Sequence, residues 1–253
     1  MSVHASLLGA LVIAVVLCAL YWFAARVDRL PLVPARAMGS FAGGTSVAYV
    51  FLQLLPALAD GSTGIGKALG DTITITPLTD LGIFLVALTG FTAFYGLDRL
   101  ARTAGETAVG REPRPAVFYL HLGAFCVYNA LITYTMPLRL RTGIAFALLF
   151  SVAMGLHFVL TDRNLREHYP VRFRRVGRTA LAASLLIGWG AAVAAAPTRT
   201  LVVSLLTAFL GGSVLLNVFT EQLPSGPTSS FSWFVVGLVL YAALLSLATA
   251  YTA

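Results

Sequence analysis

Three residues with metal-binding side chains lie in or beside two apolar segments in the middle of the chain. His121 lies in the segment AVFYLHLGAFCVYNALITYTM, and His157 lies in GIAFALLFSVAMGLHFVLT, which Asp162 follows directly. If both segments cross a membrane, they run in opposite directions and bring the two histidines to a similar depth. Imidazole binds zinc or relays protons, and a zinc site needs at least three protein ligands. We therefore predict His121, His157 and Asp162 as candidate metal ligands, with a hydrogen-bonded tie between helices as the alternative for each histidine.

A second set of polar residues comes from two similar segments of the sequence. FAGGTSVAYVFLQLLP begins at Phe41 and FLGGSVLLNVFTEQLP begins at Phe209, an offset of 168 residues. Seven of the sixteen aligned positions are identical, whereas average composition predicts about one. The chain therefore contains a duplication. The alignment pairs three polar positions that recur at a spacing of four residues, on one face of a helix: Thr45 with Ser213, Tyr49 with Asn217, and Gln53 with Glu221.

The polar residues of this face are candidates for lining a solute path. Amide and carboxylate groups are costly in hydrocarbon unless they are paired or wet, so Gln53, Asn217 and Glu221 favour such a function. Tyr128 and Asn129 lie near the middle of the first histidine-bearing segment and join the candidates. Hydroxyls in membrane helices often bond to their own backbone, which is the alternative for the paired threonine and serine.

Glycine and proline recur in both copies of the repeat. The Gly43-Gly44 pair of the first copy matches Gly211-Gly212 of the second, and Gly39 lies one helical turn before Gly43. Small residues at this spacing let another helix approach backbone to backbone. Each copy ends in Leu-Pro. Because proline cannot donate the next backbone hydrogen bond, we predict that each helix ends or kinks there.

The elements that carry these residues are predicted to be membrane helices. The chain is 58% apolar, with 11% charged residues and a mean hydropathy of +0.86, and its apolar runs approach the roughly 20 residues that cross the hydrocarbon layer. Lipid-exposed backbone must satisfy its own hydrogen bonds, so the fold class is all-α, a polytopic membrane protein. Eight helices are predicted, at about residues 7–25, 39–59, 81–97, 116–136, 143–161, 179–196, 201–219 and 233–250.

Basic residues predict the topology and the compartment. Thirteen of the 17 lie in the loops after helices one, three, five and seven, against four on the other side: Lys67, Arg139, Arg141 and Arg199. The positive-inside rule then places both termini outside the cytoplasm of a plasma or inner membrane. The first apolar run has no basic residue before it and is predicted to be a retained helix. Because the net charge of +7 follows loop parity, we exclude nucleic acid as a partner and expect the lipid bilayer instead.

The repeat predicts the organisation of a single transmembrane domain, residues 1–253. The two copies fall on helices two and seven, five crossings apart, so they point in opposite directions. Helices 1–3 and 6–8 then form inverted repeats around a central pair, a 3+2+3 arrangement that places a substrate site near the midplane. Small-residue faces such as the run Ala191–Ala196 are compatible with a homodimer and equally with packing inside the subunit.

This layout resembles the Zrt-/Irt-like (ZIP) family of metal-ion transporters. The local matches are GGTSVAYVFLQLLPAL, which looks like the glycine-rich second helix of that family, and LGGSVLLNVFTEQLP, which is similar to its seventh helix. The resemblance implies eight helices, both termini outside, and a divalent cation such as Zn²⁺ as substrate, with no resident cofactor. This sequence departs from the family pattern at Gln53 and Ala57 of the second helix. In the fourth-helix motif only Asn129 remains, and Ile132 stands in the region where the family has a carboxylate.

Three functions are compatible with this sequence. The leading expectation is a ZIP-like transporter, not an enzyme, that moves a divalent metal cation or another small solute by alternating access. The second is a ZIP-fold protein that has lost metal transport and serves another solute or an assembly role, with its path plugged by Phe125, Phe150 and Phe158. An intramembrane hydrolase with metal on His121, His157 and Asp162 is a remote third, because no His-Glu-x-x-His motif is present.

Overall fold

The computed structural model describes residues 2–27, 35–61, 77–106, 115–195, 200–223 and 229–252. Within these ranges the regular structure is entirely helical. The long helices are α1 (Val3–Val27), α2 (Ala35–Tyr49, continued to residue 61), α3 (Pro77–Glu106), α4 (Pro115–Thr142), α5 (Ile144–His168), α6 (Arg178–Ala195), α7 (Thr200–Asn217) and α8 (Phe231–Thr252). A short helix, Pro170–Arg172, and a wider π-helical turn, Phe173–Gly177, lead into α6.

Seven of these helices are long and apolar enough to cross a membrane, namely α1 to α6 and α8. In α7 the apolar stretch is shorter, from Ser204 to Thr220. Large apolar side chains such as Leu8, Val12 and Ile187 are exposed, as expected of helices that face lipid rather than water. The described chain therefore has the all-α fold and the apolar helices of an integral membrane protein.

Helix α4 contains a proline, and its predicted end is wrong there, whereas α2 passes Pro56 and ends at residue 61, close to its predicted end at residue 59. Helix α4 continues through Pro137 to Thr142, six residues beyond the predicted end at residue 136. Helix α2 continues through Pro56 because a π-helical turn, Val50–Leu54, precedes it. The wider turn shifts the carbonyl groups that a proline ring would otherwise meet in a regular α-helix. Proline 224 of the second copy lies outside the described residues.

Helix α7 carries a π-helical turn at the equivalent place. It spans Val218–Gln222, and the repeat offset of 168 residues maps Val50–Leu54 onto it. The two repeat helices also meet in opposite directions: Phe51 packs on Phe219, their ring centroids 6.4 Å apart, while Gly211 faces Leu54 and Leu58 further along α2. The duplication is thus visible in backbone geometry as well as in residue type.

Helices α2 and α8 are packed backbone to backbone at a pair of glycines. A Cβ atom on Gly44 would overlap the carbonyl oxygen of Phe234, and a Cβ atom on Gly237 would overlap the carbonyl oxygen of Phe41. The Thr45 hydroxyl lies 3.1 Å from the Phe41 carbonyl oxygen and 3.5 Å from that of Gly237. By contrast, nothing lies within 4 Å of a Cβ atom built on Gly39. The close approach predicted for the glycine face is therefore made at Gly44 and not at Gly39.

Helices α3 and α7 repeat this crossing. A Cβ atom on Gly212 would overlap the carbonyl oxygen of Ala87, and one on Gly90 would overlap the carbonyl oxygen of Phe209. The repeat offset relates Gly44 to Gly212 and Phe41 to Phe209. A second constant offset relates α8 to α3, since Phe234 and Gly237 correspond to Ala87 and Gly90. The α2–α8 and α3–α7 pairs therefore pack through the same arrangement of glycines and carbonyl oxygens.

The helices form two groups, which we name bundle A and bundle B. Bundle A contains the pairs α2–α8 and α3–α7, each held by a crossing described above, and the two pairs meet where α2 contacts α7. Bundle B contains α1, α4, α5 and α6; in it, Gly188 meets the Ala130 carbonyl and Gly155 meets Leu20. Contacts between the bundles are made by side chains: the rings of Tyr49 and Phe150 lie 5.6 Å apart. The backbone-to-backbone contacts thus lie inside the helix pairs of each bundle, whereas the boundary between the bundles is made by side chains.

We predict that Gly44→Ala lowers the free energy of unfolding by about 1–3 kcal/mol, because the added methyl group must push α8 away. Gly39→Ala on the same helix is the matched control. The methyl group added at Gly39 meets no neighbouring atom, and alanine stabilises a helix by up to about 1 kcal/mol relative to glycine. Thermal unfolding of both variants in detergent measures the difference. Equal stability of the two variants would contradict the packing described for α2 and α8.

Candidate functional site

The candidate site is a cavity between bundle A and bundle B, which we name the inter-bundle cavity. Its volume is about 360 Å³, within the range of small-molecule sites. Bundle A contributes the end of α2 from Leu52 to Asp60, together with Ser204 and Thr207 of α7. Bundle B contributes Thr135, Arg139 and Thr142 of α4 and the first turn of α5. The cavity lies where the two groups of helices come apart at one end of the molecule.

Arg139 is the charged residue deepest in this cavity. Its guanidinium carbon lies 4.1 Å from the centroid of the Phe150 ring, a cation–π contact. Its Nε atom is buried and donates no hydrogen bond. Among the described residues Arg139 makes no ion pair. It also borders a smaller void of about 10 Å³ between Tyr49, Ile132 and Val214, so it lies at the floor of the cavity.

Gln53, one of the predicted path residues, lies on the wall of the cavity. Its Nε2 atom donates a hydrogen bond of 3.1 Å to the Phe146 carbonyl oxygen of α5. Its Oε1 atom accepts one of 2.9 Å from the Tyr241 hydroxyl of α8. Gln53 therefore bridges the two bundles, and both ends of its amide are engaged.

Asn129 lies inside bundle B and Tyr128 lies at its boundary, against Phe94 of bundle A, and neither residue lines the inter-bundle cavity. Asn129 is fully buried, and its Nδ2 atom donates to the Tyr21 hydroxyl at 2.9 Å and to the Leu181 carbonyl oxygen at 3.3 Å. Its Oδ1 atom has no hydrogen-bond donor. The Tyr128 hydroxyl points at the Met154 sulfur, 3.6 Å away. Asn129 ties α4 to α1 and α6, which explains a buried amide at this depth without a ligand.

The two histidines also lie in bundle B, and each has its own surroundings. His157 is buried, 3.4 Å from the Thr161 hydroxyl, with its ring 5.5 Å from that of Tyr128. His121 is partly buried; its Nδ1 atom lies 3.5 Å from the Tyr169 hydroxyl. Within the ranges that the structure describes, no three histidine, cysteine, aspartate or glutamate residues come together as a metal site. The geometry favours the alternative of polar ties between and within helices.

Asp162, the third predicted metal ligand, is held by arginine. Its fully buried carboxylate accepts two hydrogen bonds from Arg178, from Nε at 2.7 Å and from the Nη2 atom at 2.9 Å. Arg166 adds a longer contact of 4.0 Å. A bidentate guanidinium neutralises the carboxylate and uses both of its oxygens. A metal ion at Asp162 would therefore have to displace Arg178.

The polar residues of the second repeat copy differ in their hydrogen bonding. Asn217 is buried at the start of the π-helical turn of α7, and its Nδ2 atom has no acceptor. The Ser213 hydroxyl donates to the Leu210 carbonyl oxygen at 2.7 Å, as expected of a hydroxyl bonded to its own helix. The side chain of Glu221 lies outside the described residues, so its predicted role in a path stays a prediction.

Sequence reasoning missed Arg139, Thr135, Ser204 and Thr207. The predicted helix ended just before Pro137, which put Arg139 in a loop and gave it a topological role only. One signal was available: Arg139 is one of the few basic residues on the side that the positive-inside rule leaves poor in them. The hydroxyl residues carried no such signal, because serine and threonine are common in membrane helices.

We predict that Asp162→Asn lowers the free energy of unfolding by about 3 kcal/mol, because it leaves Arg178 without its anionic partner in a largely buried place. The control is Glu167→Gln. Glu167 pairs with Arg163 at 2.9 Å, but the side chains are 60% and 44% exposed, so the expected loss is under about 1 kcal/mol. Thermal unfolding with and without Zn²⁺ measures both. A zinc-dependent stabilisation that Asp162→Asn removes would contradict this structural role.

Comparison with protein-family models, with curated proteins and with solved structures gave no match. The resemblance to the ZIP family therefore rests on the helix-two and helix-seven segments and on the predicted layout. The proposed function therefore rests on the geometry of the inter-bundle cavity.

Proposed function

We propose that this protein is a membrane transporter of ZIP-like architecture that moves a small solute by alternating access of bundle A against bundle B. The observation that carries this proposal is the position of the inter-bundle cavity. It is lined by helices of both bundles, so a relative movement of bundle A against bundle B opens or closes it. In the expected topology the cavity faces outward.

The proposal includes α7 as an eighth crossing. Helices α2 and α8 run in the same direction, since Ser40 meets Ser230 near the start of both and Gln53 meets Tyr241 further on. If α3 to α6 each cross the membrane, parallel α2 and α8 require one more crossing between them, and α7 supplies it. The backbone contact of Gly212 with α3 supports the same assignment.

The 3+2+3 arrangement of inverted repeats is part of the same proposal. Its support is the recurrence of the glycine crossing in two helix pairs and of the π-helical turn in α2 and α7. In transporters built from inverted repeats, exchanging the conformations of the two halves converts an outward cavity into an inward one. The central helices α4 and α5 then move with bundle B.

The contacts at the boundary suit a sliding movement. The ring of Phe94 in bundle A lies 6.1 Å from the rings of Phe125 and Tyr128 in bundle B, edge on. Gln53 adds a side-chain hydrogen bond across the boundary, worth about 1 kcal/mol. The backbone crossings inside the pairs α2–α8 and α3–α7 cannot slide without a clash. The side-chain contacts at the boundary with bundle B impose no such clash, and we expect motion along them.

Of the two solute classes expected from the sequence, the described residues favour a small solute other than a divalent cation. The carboxylate of Asp162 is neutralised by Arg178, and the histidines contribute to no group of three ligands in the described ranges. The deepest charge in the cavity is the cation Arg139. A dication beside it would meet electrostatic repulsion that a partly desolvated site strengthens.

We predict two populated distances between spin labels placed on Ala59 of bundle A and Thr142 of bundle B, measured by pulsed electron resonance in lipid nanodiscs. Both residues are exposed at the cavity end. The labels require Cys18 and Cys126 to be replaced first. Alternating access changes the separation of the bundles, so the outward and inward states give different distances.

The control pair joins Ala59 to Leu247 of α8, within bundle A, and is expected to give one distance. If the pair across the boundary also gives a single distance in every condition, the bundles form one fixed body. That result would contradict transport and favour the assembly role, with buried Phe125, Phe150 and Phe158 as a permanent plug.

Zinc supplies a further test of the solute class. We expect Zn²⁺ to leave the melting temperature of the purified protein unchanged, and to leave that of His157→Ala unchanged relative to its own metal-free value, because the described residues assemble no three-ligand site. Differential scanning calorimetry with a chelator control measures this. A zinc-dependent rise that His157→Ala abolishes would restore the metal version of the proposal.

A further inference from the structure

We infer that the inter-bundle cavity binds a small organic anion, with a carboxylate or phosphate group at Arg139 and an apolar part against the walls. This inference rests on the proposed function and names the substrate class of the same site. It is carried by three observations: an arginine without an anionic partner at the cavity floor, hydroxyl groups on the opposite wall, and apolar walls of suitable size.

The first observation is the state of Arg139. Guanidinium is always charged and presents its donors in a fork that matches carboxylate or phosphate. Here its Nε atom is buried and donates no hydrogen bond, and in the described part of the chain the residue forms no ion pair. A buried donor that is left unused is costly. An oxyanion in the cavity would satisfy this donor and neutralise the charge together.

The opposite wall adds uncommitted hydroxyl groups. Ser204 and Thr207 of α7 line the cavity, and neither hydroxyl makes a hydrogen bond within the described residues. Most other hydroxyls in these helices bond to their own backbone, as Thr142 does to the Leu138 carbonyl oxygen at 3.0 Å. Hydroxyls that stay free in a cavity wall are available as donors to a ligand.

The remaining lining is apolar. It includes Leu52, Pro56, Ile83 and Phe146. A cavity of about 360 Å³ accommodates a ring-sized or short-chain body, whereas a bare inorganic ion would leave the apolar walls in contact with water. The lining therefore favours an amphiphilic anion with one charged end.

Other charges near the cavity do not reverse its electrostatic preference for an anion. Asp60 also lines it, but that side chain is exposed at the rim, where water screens its charge. The first turn of α5 has no side-chain cap and presents the positive end of a helix, while the end of α4 presents a negative one. These dipole effects are each about 0.3–1 kcal/mol and oppose one another. The full charge of Arg139 decides the preference.

The test measures equilibrium binding of radiolabelled benzoate to the full chain in phosphatidylcholine nanodiscs, with neutral benzamide as the matched probe. We expect benzoate to bind in preference to benzamide. Arg139→Gln is expected to weaken benzoate binding about tenfold or more, because it removes a charge-assisted hydrogen bond, and Arg139→Lys to retain part of it. The control is Arg141→Gln, the same substitution at an exposed position of α4, which should leave binding unchanged.

A lipid phosphate is the other source of an oxyanion, and a second arm identifies it. If phosphatidylglycerol raises the melting temperature of the parent but not of Arg139→Gln, and competes with benzoate, the site takes its anion from the bilayer. Equal binding of benzoate and benzamide would overturn the inference. So would an equal loss in Arg139→Gln and Arg141→Gln, or the absence of any Arg139-dependent response in both arms.

These outcomes are separable from those of the transport test. Benzoate binding with a single spin-label distance would keep the anion site and remove the transporter. Two distances without an Arg139-dependent anion response would keep the transporter and remove the anion as its substrate. Circular dichroism of Arg139→Gln and Arg139→Lys shows whether a loss of binding reflects a loss of fold.

Discussion

Backbone-to-backbone packing at glycine is the constraint on which the rest of this structure depends. In lipid, apolar side chains gain little by turning away from their surroundings, so helices associate where their surfaces fit most closely. Gly44 with Gly237, and Gly90 with Gly212, allow two helix pairs to touch at their main chains. These contacts join α2 to α8 and α3 to α7, whereas the boundary with bundle B is made by larger side chains, and the cavity lies at that boundary.

Buried polar groups are distributed according to the same division. In bundle B, Asn129 bonds to Tyr21 and Leu181, and Asp162 is paired with Arg178, so these two buried side chains tie helices of the same bundle together. At the boundary, Arg139 is left with an aromatic face and an unused donor. Buried polar groups that are hydrogen-bonded stabilise the fold, whereas a charged group that lacks an ion-pair partner beside a cavity can bind a ligand.

The candidate site illustrates how far residue types can mislead. His121, His157 and Asp162 were reasonable metal ligands because of their chemistry and depth, yet a carboxylate is a ligand only if no cation of the protein reaches it first. No sequence pattern indicated that Arg178 would pair with Asp162. The two side chains meet only because α6 packs close to the end of α5. Gln53 lines the inter-bundle cavity, and its role in a solute path stays a prediction.

The sequence by itself determined the class, the helices and the duplication. Apolar runs require helices in a membrane, and identical glycines at a fixed offset imply a repeated contact. It did not determine that α4 continues past Pro137, since a proline in a helix is tolerated or not according to its surroundings. Nor did it determine the partner of Asp162 or the isolation of Arg139. Such facts depend on which helices become neighbours, and neighbours are chosen by tertiary packing of surfaces that local sequence does not describe.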